Sequence, residues 1–179
     1  MLVLVVGPSG AGKDTLLNAA REAFAGDSRF RFVRRVITRP ADPMGENHEP
    51  ADDAEFNRRH FALSWGAHGL RYGVPADIEA DIARGVTVVA NVSRGVIEPA
   101  AARFPVHVIE VTAPPDILAR RLAERGRESA PDIAARLARH VDVPHGVPVT
   151  VVTNDGTPAE GIARFQAVLS RLAVSVPRS

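Results

Sequence analysis

Apolar and polar residues alternate along this chain in two rhythms. Leu2-Val-Leu-Val-Val6 is an unbroken apolar, largely β-branched run that stops at Gly7, the pattern of a strand buried on both faces. From Lys13 to Ala25 the spacing becomes helical, with Leu16, Leu17, Ala20 and Phe24 able to share one face. Arg31 to Thr38 reads as one mixed strand, and a loop rich in Pro, Gly and Asp follows from Pro40 to Asp53. Ala54 to Arg59 is compatible with a short helix, and Gly66 to Pro75 holds a turn. Beyond Ala76 the pattern turns regular. Helices are expected at Ala76–Arg84, Ile97–Arg103, Pro115–Arg125, Ala130–Val141 and Pro158–Leu172. Strands are expected at Val86–Val92, Val106–Val111 and Val149–Thr153. Strands alternating with helices predict an α/β fold, a central parallel sheet flanked by helices, with ligands beyond the carboxyl ends of the strands.

Composition narrows the possibilities. At 179 residues with 45% hydrophobic and 24% charged, the chain can bury a core as a single domain and does not read as disordered. Cysteine is absent, which excludes disulfides and thiolate chemistry. The opening apolar run is too short to span a bilayer and no secretory leader pattern surrounds it, so a cytoplasmic protein without a membrane partner is expected. A net charge of +1 with few aromatics argues against a nucleic-acid partner. Of the 22 basic residues, the only lysine is Lys13.

That lysine closes a phosphate-binding loop. Gly7, Pro8, Ser9, Gly10, Ala11, Gly12 and Lys13 form G-x-x-x-x-G-K, directly after a predicted strand and at the start of a predicted helix. Glycines let the backbone curl so that successive N–H groups point inward at phosphate oxygens. The helix N-terminus adds partial positive charge, and Lys13 supplies a mobile cation for the β- and γ-phosphates of ATP. The next position, usually Ser or Thr for Mg²⁺, is Asp14, followed by Thr15. Asp14 either offers Mg²⁺ a hard oxygen, or stabilises the first helical turn while Thr15 or water serves the metal.

Other phosphate-loop proteins fit less well. An N-K-x-D guanine motif is impossible with one lysine, and the strand Val86–Val92 runs into Asn91-Val-Ser93-Arg94 with no carboxylate. Arg120, Arg121, Arg125, Arg127, Arg136 and Arg139 instead cluster around Gly126. An arginine-rich lid over about 125–140, hinged near Gly126, suits transfer between two phosphorylated molecules with water excluded.

Taken in order, Gly7 to Lys13, Ile37-Thr38-Arg39, Gly45-Glu46, Tyr72-Gly73, the Arg121 to Arg136 stretch and Asn154-Asp155 resemble the guanylate kinase superfamily across nearly the whole chain. Gly12-Lys13-Asp14, Gly45-Glu46-Asn47-His48, Leu63-Ser64-Trp65, Gly69 to Val74 and Arg125-Gly-Arg127-Glu128 are similar, more closely, to the ribose 1,5-bisphosphate phosphokinases. The Asp14 departure is expected under that resemblance. Two features of guanylate kinases are missing. Pro40-Ala-Asp42-Pro-Met44 lacks a second arginine for the nucleotide's phosphate, and no carboxylate to pair with guanine lies between Phe61 and Tyr72.

The resemblance implies ATP- and Mg²⁺-dependent phosphoryl transfer to a small phosphorylated sugar, ribose 1,5-bisphosphate, within a P-loop kinase fold. An acceptor-binding insertion would occupy about residues 38–75. By the same resemblance Arg39, Glu46, Asn47, His48, Arg71 and Tyr72 face the acceptor, Arg121, Arg125 and Arg136 attend the transferred phosphoryl, and Asn154-Asp155 border the adenine. The competing readings are a guanylate kinase and a non-catalytic interaction module of the same fold. The intact Gly12-Lys13 speaks against the module.

Overall fold

The computed structural model describes residues 1–41, 43, 46–124, 126 and 143–174. Its centre is strand β1, Leu2–Val6, buried at every position. Because strand side chains alternate between faces, β1 serves two cores at once. Val3 and Val5 belong to the first, with Leu16, Leu17 and Ala20 of helix α1 (Lys13–Ala23). Leu2, Leu4 and Val6 belong to the second, with Ile78, Ile97 and Ala100.

Strands β2 (Phe30–Phe32), β7 (Thr87–Asn91), β8 (Val106–Thr112) and β9 (Val149–Thr153) complete an all-parallel sheet in the order β2-β7-β1-β8-β9. Helix α6, Pro158–Val174, lies with α1 on the first face, with Phe165 and Leu169 fully buried. Helices α3 (Ile78–Ala83) and α4 (Ile97–Ala101) cover the other, and α5 (Pro115–Glu124) follows β8. The expected parallel sheet between helical layers is therefore present.

The sequence pattern left one feature unseen. Residues 31 to 38 do not make one strand. Val33 N–H still donates to the Val89 carbonyl, but Arg34 and Arg35 then carry the chain out of the main sheet. Val36–Ile37 forms β3 of a second sheet, ordered β4-β3-β6-β5, with β4 at Glu49–Pro50. Strands β5 (Phe61–Ala67) and β6 (Leu70–Pro75) are an antiparallel hairpin, where the pattern indicated only a turn. His68 and Gly69 close it with φ of 53° and 72°, so His68 sits at a hairpin tip. Between β4 and β5, helix α2 (Asp53–Arg58) starts at a capping box in which Asp52 and Glu55 each accept the other's backbone N–H. The expected helix Ala130–Val141 lies outside the described residues, as do Arg125, Arg136 and most of the expected lid.

His107 and Thr150 tie β8 to β9 through Nε2 and Oγ1 at 2.8 Å. Partial burial holds the His107 imidazole below its ordinary value. A group whose folded value is lowered contributes stability above its unfolded value and loses it as pH falls through the folded one. Melting temperature should accordingly drop on acidification from about pH 7 to about pH 5, and less in His107→Gln than in the parent. Equal acid sensitivity in both proteins would exclude this contribution.

Candidate functional site

The loop between β1 and α1 follows from its glycines. Gly7 has φ of +152°, and a side chain there would run into the Val111 carbonyl oxygen of β8. Gly12, with φ of +90°, caps α1 without any side-chain acceptor, so no side chain consumes the first N–H groups of the helix. Lys13 Nζ donates to the Gly7 and Pro8 carbonyls at 2.6 and 3.1 Å, which keeps the ammonium over the loop.

Distant residues hold the loop in shape. Asn154 is buried, and its Nδ2 donates to the Ala11 carbonyl at 2.8 Å while its own N–H donates to the Thr112 carbonyl. Arg121, on α5, donates to the carbonyls of Asn154 at 2.9 Å and Gly10 at 3.3 Å. The Asn154 side chain is thus engaged with the loop. Asn154→Ala would leave the Ala11 carbonyl unpaired and should cost about 1–3 kcal/mol. Thermal denaturation would register a drop of several degrees, and an unchanged midpoint would show that the clamp is dispensable. Asp155 is exposed, and hydrogen bonding from Arg164 at 2.9 Å lowers its carboxyl from the usual range.

Two cavities meet at this loop. The first, about 310 Å³, is lined by Gly10, Gly12, Thr15, Arg121, Asn154, Gly156 and Pro158, among others. The second, about 130 Å³, brings Ser9, Lys13, Asp14 and Thr15 opposite Arg35, Glu46 and Asn91. Gly10, Gly12 and Thr15 border both, so two ligands could touch across the loop. Asn91 ends β7 beside β1 and its Nδ2 donates to Asp14 Oδ1 at 3.3 Å. No cluster of three metal-binding side chains occurs among the described residues. One carboxylate with a hydroxyl nonetheless fits Mg²⁺, which keeps water and phosphate oxygens as most of its ligands.

The residues expected on the acceptor side separate into groups. Glu46 lines the second cavity and takes a bidentate pair from Arg35, at 2.8 Å from Nε and 2.5 Å from Nη2. Asn47 borders the small recess beside it. His48 is 2% exposed, with Nδ1 at 2.9 Å from the Glu46 carbonyl and Nε2 at 3.0 Å from the Arg39 carbonyl, so it tethers the two ends of this loop. Arg39 Nε is buried without a hydrogen-bond partner among the described residues. Arg71 turns to α2 instead. It donates to Asn57 Oδ1 at 2.8 Å, lies 3.6 Å from Asp53 and stacks over Phe56 at 4.3 Å. Tyr72 stacks on its cross-strand partner Trp65, ring centroids 5.4 Å apart.

Arg35 and Asn91 were not among the residues singled out from sequence. The available signal for Arg35 was a charge inside the apolar run Phe32-Val33-Arg34-Arg35-Val36-Ile37.

No protein-family model matches the chain. The chain is 54% identical over 173 residues to the ribose 1,5-bisphosphate phosphokinase PhnN of Acidiphilium cryptum, covering 95% of this chain and 92% of that protein. It is 47% identical over 178 residues to the ribose 1,5-bisphosphate phosphokinase PhnN of Brucella melitensis, covering 96% and 93%. Among solved structures, the guanylate kinase of Anaplasma phagocytophilum aligns with 99% of this chain and 88% of its own at a TM-score of 0.66 and 19% identity, a likeness of fold.

Proposed function

Since the chain belongs to the ribose 1,5-bisphosphate phosphokinase family, we propose that it transfers the γ-phosphoryl group of ATP to the 1-phosphate of ribose 1,5-bisphosphate, giving 5-phospho-α-D-ribosyl 1-diphosphate and ADP. The observation that carries this reading is the pair of cavities meeting at Gly10, Gly12 and Thr15. The larger, beside Asn154, takes the nucleotide. The smaller, between Lys13 and Glu46, takes the sugar bisphosphate.

In the reaction an oxygen of the 1-phosphate attacks the γ-phosphorus while the bond to the bridging oxygen of ADP breaks. The attacking oxygen is already anionic near neutral pH, so no general base is needed. Catalysis rests on alignment and on neutralising charge. Backbone N–H groups of Ser9, Gly10, Gly12 and Lys13 cradle the β- and γ-phosphates, and the Lys13 ammonium follows the γ-phosphoryl as it moves. Arg121 keeps the loop in register from the nucleotide side. Asp14 and Thr15 would supply oxygens for Mg²⁺, which when bound would offset negative charge on the phosphates. Arg125 and Arg136 retain the role given by the resemblance.

The test is incubation with ATP, Mg²⁺ and ribose 1,5-bisphosphate, followed by ³¹P NMR. Diphosphate resonances coupled to the appearance of ADP are expected. Their absence with folded protein would overturn the reading.

A further inference from the structure

We infer that Arg35 is the arginine that grips a phosphate of the sugar acceptor, aimed by Glu46 and by the Trp65–Tyr72 stack. The inference deepens the acceptor reading above and rests on it.

Arg35 is only 8% exposed. A buried guanidinium is costly, and exchanging a buried ion pair for apolar groups is often neutral or stabilising, so stability does not account for this one. Its surroundings fix it in place. Nε and Nη2 are committed to the Glu46 carboxylate. The guanidinium lies over two rings, 5.2 Å from Tyr72 and 5.9 Å from Trp65. The rings are themselves locked as stacked cross-strand neighbours. Such a fork loses little freedom on meeting an anion, and Nη1 remains outside the pair with Glu46.

The fork is also in the right place. Arg35 and Glu46 line the cleft opposite Lys13, Asp14 and Thr15 of the phosphate loop. Of the neighbouring arginines, Arg34 is engaged with the His48 carbonyl and Arg71 with α2. A sugar phosphate asks for a cation beside an acceptor for hydroxyls, and the pair presents both. The guanidinium takes the phosphate, and the free lone pairs of the carboxylate take ribose hydroxyls.

Trp65 is the only tryptophan of the chain, so intrinsic fluorescence reports on this stack. Titration with ribose 5-phosphate should change the emission saturably, and ribose at the same concentrations should not. Arg35→Met should weaken binding at least about 30-fold, and Arg35→Lys, which keeps charge without the fork, about 10-fold. Calorimetry should give the same order. Arg35→Met strands the Glu46 carboxylate, so Arg35→Met/Glu46→Gln supplies the measurement should the single variant fail to fold. Affinity within twofold of the parent in the folded variant would overturn the inference, as would a parent that fails to distinguish ribose 5-phosphate from ribose. Turnover of ribose 1,5-bisphosphate by the parent is measured separately. Its absence defeats the enzymatic reading while the titration still decides the role of Arg35. With turnover present, KM for the acceptor should rise in Arg35→Met and KM for ATP should stay within twofold. An equal rise in both would also overturn the inference.

Discussion

Lys13→Ala is expected to fold like the parent and to lose about three orders of magnitude in kcat/KM, the scale of removing a preorganised group that meets developing charge. The two effects separate because of where the residue sits. Its ammonium bonds to the Gly7 and Pro8 carbonyls at the mouth of the loop, not within either core. Those carbonyls are open to water once the side chain is gone, and alanine is at least as good as lysine in the first turn of α1. The cost in stability should be about 1 kcal/mol, a shift of a few degrees in melting temperature. In the reaction no other lysine can take over its role, because it is the only one of the chain. Calorimetric melting alongside steady-state kinetics makes the comparison. Turnover near that of the parent would remove Lys13 from the mechanism, and absence of turnover in the folded parent would revive the non-catalytic module.

With ATP and Mg²⁺ held constant, ribose 1,5-bisphosphate should be preferred to guanosine monophosphate by about a hundredfold or more in kcat/KM. Guanine brings N1 and N2 donors that need a carboxylate, and the hairpin from Phe61 to Tyr72 has none. Two unpaired donors in a confined site cost about 1–3 kcal/mol each, which sets the size of the discrimination. The sugar bisphosphate replaces those donors with hydroxyls and phosphates. Guanosine monophosphate used as efficiently as the sugar bisphosphate would overturn the assignment and restore a guanylate kinase.

The resemblance to guanylate kinases and the 19% identity to a solved one thus describe a shared fold.

The amino-acid sequence alone determined the α/β architecture and the loop from Gly7 to Lys13. Both depend on short-range properties, a five-residue apolar run, helical periodicity, and glycines that permit φ of +152° and +90°. Asp14 and Thr15 come with them, being the next residues of the same helix. Tertiary structure decided the arrangement of the proposed acceptor side. Arg31 to Thr38 could not be divided between two sheets from its own pattern, because the division depends on β7 pairing with β2 and on β6 pairing with β3. Arg71, named from the motif, turns outward because Asn57 and Phe56 of α2 receive it. His48 turns inward because two carbonyls from its own loop meet its ring. Arg35, eleven residues from Glu46 and far along the chain from Tyr72, belongs to the cleft only once all three meet. A cation's role is set by the partners that fold around it, and those partners come from segments whose separation in sequence carries no periodic signal.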